Sequence, residues 1–518
     1  MTAEDLKSTT TNSKRKVVSF VYADLPTFEL CLYCCFLFSC TSYAWFQVLA
    51  TSNNYKFNIG QLASLKTLPF FGQRFKDESN WEWNNWSSLA LSLLPFLLIH
   101  SIIFNTAERF VSDQVLQYIT IIYSVIYSSV LFTKWLVFLS LFQGTLIFLV
   151  THLTGYWIAT WISSLPVLYL TMHHTFEISP NPFLVLTFVS YTLLSYISYN
   201  LEAQAGGARP EDNTWLKRYI RMLFYTFYPP YMITLVVTYA DFERQMRERV
   251  MKIHEWRNVL FLVVRIAFWW VFIDLLLHFA YFEGILFDLE YAKRLPKDQF
   301  VSLGMALGTF FHLKYVVIFG LPRIFALADK MQPVDGPICI NRLVLYSKAW
   351  RYFDRGLYSF FKKYIFIPIC RPTFSMTRKV IGVLISYGFV LLWHGFYHSN
   401  IVWISLNIIG LFLEYGAKAI YTIESFQKWR EMHISDLAFR RILAWLRVIP
   451  FVLGIYSNFY FLGGSEVGYM FVLRIWLEET LTLRYPAIFL ITLAYAHSQI
   501  CIEVDRKFDS VSSKAHSE

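Results

Sequence analysis

The chain has 518 residues, 56% of them hydrophobic and 16% charged, against about 45–50% and about 25% in ordinary globular domains. Aromatic residues make up 19% and mean hydropathy is +0.42, which excludes a disordered chain and leaves too much apolar surface for one soluble core. The net charge of +10 would suggest nucleic acid in a soluble protein; here it fits basic loops facing the cytosol and anionic headgroups, with membrane lipids and not nucleic acid as partners. The expectation is an all-α polytopic membrane protein.

The first 22 residues are polar and carry Lys14-Arg15-Lys16 ahead of the first apolar run. No short apolar region closed by small residues marks a cleavable signal, so residues 1–22 read as a cytosolic tail before a retained span. A span takes about 20 apolar residues. Candidates are 24–49, 87–104, 115–133, 135–150, 152–172, 182–199, 219–240, 258–288, 301–327, 377–398, 401–421, 441–462 and 482–502. Some of these must be re-entrant or interfacial, which gives about 10–13 transmembrane and re-entrant helices. Residues 23–502 then form one multi-pass domain and 503–518 a polar C-terminal tail. The weakest candidate is 219–240, where Tyr228-Pro229-Pro230-Tyr231 removes two backbone donors and breaks a helix. Such a break at membrane depth is tolerated where it lines a cavity or packs in protein. The connections between spans are too short for separate domains. The seven cysteines are odd in number and show no paired CxxC motifs, so neither a disulfide framework nor a structural zinc site is indicated. Cys31 and Cys34 form a lone CxxC inside an apolar span.

Three segments carry residues suited to chemistry. In the run from Trp350 to Tyr364, helical spacing puts Trp350, Leu357, Phe361 and Tyr364 on one stripe and Arg351, Arg355 and Lys362 on another, as in an interfacial amphipathic helix. Asp354 falls on the apolar side, where a carboxylate is paired with Arg351 or Arg355, protonated, or functional. The second segment is Leu391-Leu392-Trp393-His394-Gly395-Phe396-Tyr397-His398. It closes a span, and an intramembrane histidine is a site or a core group bonded to a carbonyl. His394 and His398 lie four apart but lack the acid partner of a zincin, so no metal site is expected. In the third segment, Asn458 sits in an apolar span and needs partners on another helix, with Gly463-Gly464 ending that helix.

Lys314-Tyr315, Cys339, Trp350-Arg351-Tyr352-Phe353-Asp354, Ile367-Pro368, Trp393-His394-Gly395 and Phe461-Leu462-Gly463-Gly464-Ser465-Glu466-Val467-Gly468 together resemble the membrane-bound O-acyltransferase superfamily, and within it the Hedgehog acyltransferase branch. The close match covers roughly residues 300–470. The resemblance implies a bundle around a central tunnel. It also implies an enzyme of the endoplasmic-reticulum membrane, or of the Golgi membrane, that moves palmitate from palmitoyl-CoA to the N-terminal cysteine of a secreted Hedgehog-like or EGF-like precursor. It makes His394 the superfamily histidine, Asp354 its acid, and Asn458 a site asparagine, with Trp350 and Trp393 at the substrate. Cys339 stands where the family has a haem-ligating cysteine, which implies haem b. The sequence departs from the family at Ile233-Thr234-Leu235-Val236, where an Asn-Gly-Pro stretch is usual, at Cys370-Arg371 in place of a glycine pair, and at Gly395-Phe396 in place of two glycines.

The chemistry asks for proximity to a reactive thioester and for a base near an amine whose pKa is about 7.7–8.0. His394 is the natural base. Asp354 either orients the histidine or holds the acceptor ammonium. Asn458 or a backbone amide near Gly395 would donate to the thioester oxygen. Two other readings stand beside this one: the same fold acting on a glycerol-type or GPI-anchor lipid, and a transporter or catalytically silent scaffold. Transporters usually show paired hydropathy repeats, and none is seen.

Overall fold

Eleven helices among the described residues are long and apolar enough to cross a bilayer. The computed structural model describes residues 22–58, 62–207, 212–478 and 485–515; the Lys14-Arg15-Lys16 cluster lies outside them. The helices used below are α1 (Thr27–Asn54), α2 (Trp81–Ala107), α3 (Asp113–Leu131), α4 (Lys134–Thr154), α5 (Trp157–His173), α6 (Pro182–Gln204), α7 (Trp215–Thr226), α8 (Tyr239–Glu248) and α9 (Trp256–Leu276). They continue as α10 (Phe282–Phe287), α11 (Lys297–Ala328), α12 (Tyr346–Tyr352), α13 (Arg355–Phe361), α14 (Met376–His394), α15 (His398–Tyr421), α16 (Asp436–Val472) and α17 (Tyr485–Ala515).

Two of the thirteen expected spans drop out. Segment 152–172 becomes α5, which starts at Trp157 and has only 17 residues, because Gly155 takes φ 71° and ends α4 inside the expected run. Segment 219–240 is broken as the two prolines require: α7 stops at Thr226, Pro229–Met232 form one turn, and α8 begins at Tyr239. Candidate 258–288 is shorter than expected, since α9 stops at Leu276 and the short helix α10 follows. The last helix runs on to Ala515, past residue 502 where the polar tail was placed.

The connection between α1 and α2 forms an antiparallel hairpin, β1 (Ala63–Leu68) and β2 (Gly72–Asp77), with Ala63 opposite Asp77. A lone hairpin is marginal in water; this one is anchored. The buried Asp77 carboxylate accepts from the backbone of Gly284 at 2.9 Å and of Ser79 at 3.0 Å, and its own N–H donates to Leu277 O at 2.9 Å.

Burial ranks the layers. The most apolar windows of α6 and α11 are 72% and 67% buried, against 6% in α1, so α6 and α11 form the inner layer and α1 lies at the periphery. Asp329 follows α11 and is fully buried. It accepts from Tyr228 at 2.7 Å, Ser101 at 2.8 Å, Asn105 at 3.0 Å and His100 at 3.1 Å, which ties the broken helix to α2 and α11. The stretch after the prolines then crosses the start of α13 so closely that any side chain at Gly356 would collide with the Val236 carbonyl. Only glycine fits there.

Candidate active site

Asp354 is not in the middle of a helix. The expected amphipathic helix stops at Tyr352, and Asp354 is the N-cap of α13, its Oδ1 accepting from the Leu357 N–H at 2.9 Å. Capping explains the break: a short carboxylate before a helix satisfies an otherwise unpaired backbone donor. Neither Arg351 nor Arg355 pairs with it; Arg355 binds Asp335 at 3.3 Å. Burial in a medium that disfavours charge pushes the Asp354 carboxyl up to about 6, yet the side chain keeps some accessible surface.

His394 is the last residue of α14. Gly395, at φ 90°, turns the chain sharply into α15, a conformation glycine adopts without strain. Asn400 holds the turn by donating to the carbonyls of His394 at 2.7 Å and Gly395 at 3.0 Å. The imidazole lies edge-on to Trp403 and to Phe461, each with centroids 5.2 Å away, and those two rings stack at 4.2 Å. Phe461 continues to Phe311 at 6.0 Å, and Phe311 stacks on Phe353, beside Asp354, at 5.1 Å. Among the described residues no hydrogen bond or ion pair joins His394 to Asp354.

A second acid lies close by. Glu82, in the first turn of α2, is the carboxylate whose charge acts on His394. It forms an ion pair with Lys314 and accepts from the Tyr315 hydroxyl at 2.7 Å. Tyr315 in turn lies edge-on to Phe353, the residue before Asp354, with centroids 5.2 Å apart. A cavity of about 240 Å³ opens here, lined among others by Asn80, Glu82, Glu283, Phe311, Lys314 and Phe461. It reaches the ring that touches His394 and the ring that stacks beside Asp354. Asn80 donates to both Glu283 oxygens at 2.8 and 2.9 Å, and burial pushes the Glu283 carboxyl up to about 7.

The remaining expected site residues separate. Trp350 donates from Nε1 to Asn407 Oδ1 at 3.0 Å and lies edge-on to Tyr387 at 5.1 Å. Trp393 lies edge-on to Tyr191 at 5.6 Å. Asn458 is exposed on α16, and the structure does not bring it to His394. The buried polar residue of that turn is Ser457, which bonds back to Gly454 O at 2.8 Å. Gly463-Gly464 does not end the helix either: Gly464 makes a kink at φ 80°, and helix resumes to Val472. The Gly395 N–H already donates to Leu391 O at 2.9 Å, so it is not free for an oxyanion. His398 bonds Ser465 Oγ at 3.1 Å. Cys339 is an exposed thiol before a short 3-10 turn and lines neither cavity. Beyond that thiol, the described residues show nothing that supports a haem site.

Glu82 was missed because it looks like a polar end of a span; its signal was one acid set among Trp81, Trp83 and Trp86. Lys314-Tyr315 had a place in the resemblance but no role.

A family model described as MBOAT, membrane-bound O-acyltransferase family, matches residues 117–457. The chain is 28% identical to the protein-cysteine N-palmitoyltransferase Rasp of Drosophila melanogaster, over 77% of this chain and 80% of that protein. It is 25% identical to the protein-cysteine N-palmitoyltransferase HHAT of Mus musculus, over 88% of this chain and 94% of the relative. The mouse HHAT-like protein is 24% identical, over 75% and 78%. The family match includes Asp354 and His394 and leaves Glu82 outside.

Proposed function

The chain belongs to the membrane-bound O-acyltransferase family, and on that premise we propose that it transfers palmitate from palmitoyl-CoA to the N-terminal cysteine amine of a secreted Hedgehog-like or EGF-like precursor in the endoplasmic-reticulum membrane. Two relatives that match over most of their length carry the name protein-cysteine N-palmitoyltransferase. The observation that carries the reading is the shared chamber: a base and an acid from distant parts of the chain approach one polar cavity.

With the N-terminal tail in the cytosol, α1 delivers the chain to the lumen, so the cavity at the start of α2 opens to the lumen, where a secreted acceptor arrives. At about 240 Å³ it suits the end of a peptide rather than a folded domain. The donor comes from the opposite face. Beyond Glu82, α2 presents Trp86, Leu89, Leu93 and Leu97 towards Pro229, Ile233 and Leu321 around a small apolar cavity. These are side chains an acyl chain packs against, each buried CH₂ giving about 0.8 kcal/mol, but the cavity between them holds only about 10 Å³, so the column must open to admit the chain.

His394 takes the proton from the acceptor ammonium, and the freed amine attacks the thioester carbonyl. The C–S bond breaks and an amide forms; of the two protons the nitrogen gives up, one leaves with the CoA thiol and the other passes through His394 to solvent. Asp354 holds the ammonium before attack. The missing contact with His394 favours this role over orienting the ring, and its unused acceptor capacity suits a cation. Glu82, paired with Lys314, shapes the potential at His394.

The test incubates purified protein with labelled palmitoyl-CoA and peptides with a free or blocked N-terminal cysteine, beside His394→Ala. Amide-linked label on the free peptide with wild type alone supports the reading. Label only on lipid would move the function to a lipid acceptor.

A further inference from the structure

Helix α15 carries a polar residue at every seventh position: Asn400, Asn407 and Glu414. Seven residues are close to two turns, so the three share a face and stand about 10 Å apart along the axis. All three are buried in a helix apolar enough to cross a bilayer. Buried amides and carboxylates in such surroundings must find partners.

Their partners are the catalytic segments. Asn400 clamps the turn that carries His394 through two carbonyls. Asn407 donates to Trp403 O at 2.7 Å and accepts from Trp350 Nε1 at 3.0 Å, four residues before Asp354. Glu414 accepts the backbone N–H groups of Tyr346 and Ser347, the latter at 3.2 Å, at the start of α12. On the same face, Trp403 touches His394 with centroids 5.2 Å apart and Trp350 at 5.9 Å. One helix face therefore holds both the turn ending on His394 and the segment leading to Asp354.

We infer that Asn400, Asn407 and Glu414 are positioning residues, and that α15 is the rigid spacer that sets the separation of His394 and Asp354. The inference rests on the reading of those two as the reacting pair. Transfer between groups that do not touch each other depends on their separation, and a misplacement of about 1 Å can cost about 10²-fold.

The test uses the full-length protein in detergent or nanodiscs. Asn407→Leu and Trp350→Phe remove one hydrogen bond from its two sides. Each should lower kcat for acylation of an N-terminal-cysteine peptide about tenfold or more, with KM for palmitoyl-CoA within about twofold. The double variant should be no slower than either single one, the signature of two groups acting through one contact. Asn407→Asp, which keeps the acceptor oxygen, should recover most of the rate. A second readout needs no turnover: diethyl pyrocarbonate modification of His394, followed by mass spectrometry, should speed up severalfold in Asn407→Leu as the Trp403 contact loosens. Losses that multiply in the double variant, or a modification rate unmoved in folded protein, overturn the inference. If Asn407→Leu does not fold, Trp350→Phe carries both readouts. A wild-type protein that leaves the peptide unacylated would fail the functional reading instead, and the modification rate would still decide the positioning claim.

Discussion

Two aspartates lie deep in this protein and do opposite work. Asp329 is fully buried and receives four hydrogen bonds, from His100, Ser101, Asn105 and Tyr228. Asp354 is enclosed yet partly accessible, and its carboxylate meets only the Leu357 and Gly356 N–H groups of the helix it caps. The first has no lone pair to offer a ligand. The second has unused acceptor capacity beside a cavity. A deep acid is thus structural when its neighbours saturate it and chemical when they do not.

The contrast is broken most directly by removing each group. His394→Ala should lower acylation about 10²–10⁴-fold, the usual worth of a positioned base, with expression and the thermal transition intact; the assay is labelled transfer from palmitoyl-CoA. A transfer rate near wild type would remove His394 from the site.

Asp329→Ala should act on stability. It leaves His100, Tyr228 and Asn105 without their shared acceptor, and breaking a buried polar cluster costs about 3–5 kcal/mol. Its activity should fall only in step with the folded fraction measured by thermal unfolding.

Asp354→Asn should show the reverse. Asn still caps a helix, so the fold is kept, while kcat falls. Burial raises the Asp354 carboxyl to about 6, so its stabilising contribution is present below the unfolded value of about 3.9 and is lost as pH rises through 6. At pH 7.4 the charged acid weighs against the fold, and Asp354→Asn should melt at the same temperature or higher. A lower melting temperature would make Asp354 structural after all.

The same group sets a pH dependence. Acylation should fall as pH drops through about 6, where Asp354 takes up a proton and no longer holds an ammonium. A kcat/KM profile flat between pH 5 and 7, in the range about one unit either side of the midpoint, would assign that role elsewhere.

The smallest effect concerns the acyl chain. Leu93→Trp adds volume to the apolar column between α2 and the broken helix. It should shift preference towards shorter acyl-CoA donors by about 10–200-fold at most, read in a competition between palmitoyl-CoA and a shorter homologue.

Much of the architecture was legible because hydropathy and proline act locally. Eleven of the thirteen apolar runs became long helices, and the Tyr228-Pro229-Pro230 break fell where two missing donors put it. The failures also have local causes. Gly155 took the first residues of the α5 run, and Asp354 ended one helix by capping the next. In the candidate site, His394 and Asp354 stood out because ionisable groups in apolar runs are costly. Asn458 met the same criterion, and the structure turned it outward. Glu82 did not meet it, since a charge at the end of a span costs little to place there. Asn400, Asn407 and Glu414 were visible as a seven-residue repeat, yet nothing in their spacing named the segments they bind.

Composition and periodicity by themselves determined that this chain spans a membrane, where most of its helices lie, and which ionisable groups stand in apolar runs. Those properties depend on the transfer of each segment from water, a cost local to that segment. Tertiary structure alone decided that Glu82 and Tyr315 line one cavity with Phe461, which meets His394, and Phe311, which stacks on the neighbour of Asp354, that Asp329 is saturated, and that α15 contacts both the His394 turn and the segment before Asp354. Those outcomes depend on partners from separate segments of the chain, and the hydrogen bonds that select them form only when the helices pack.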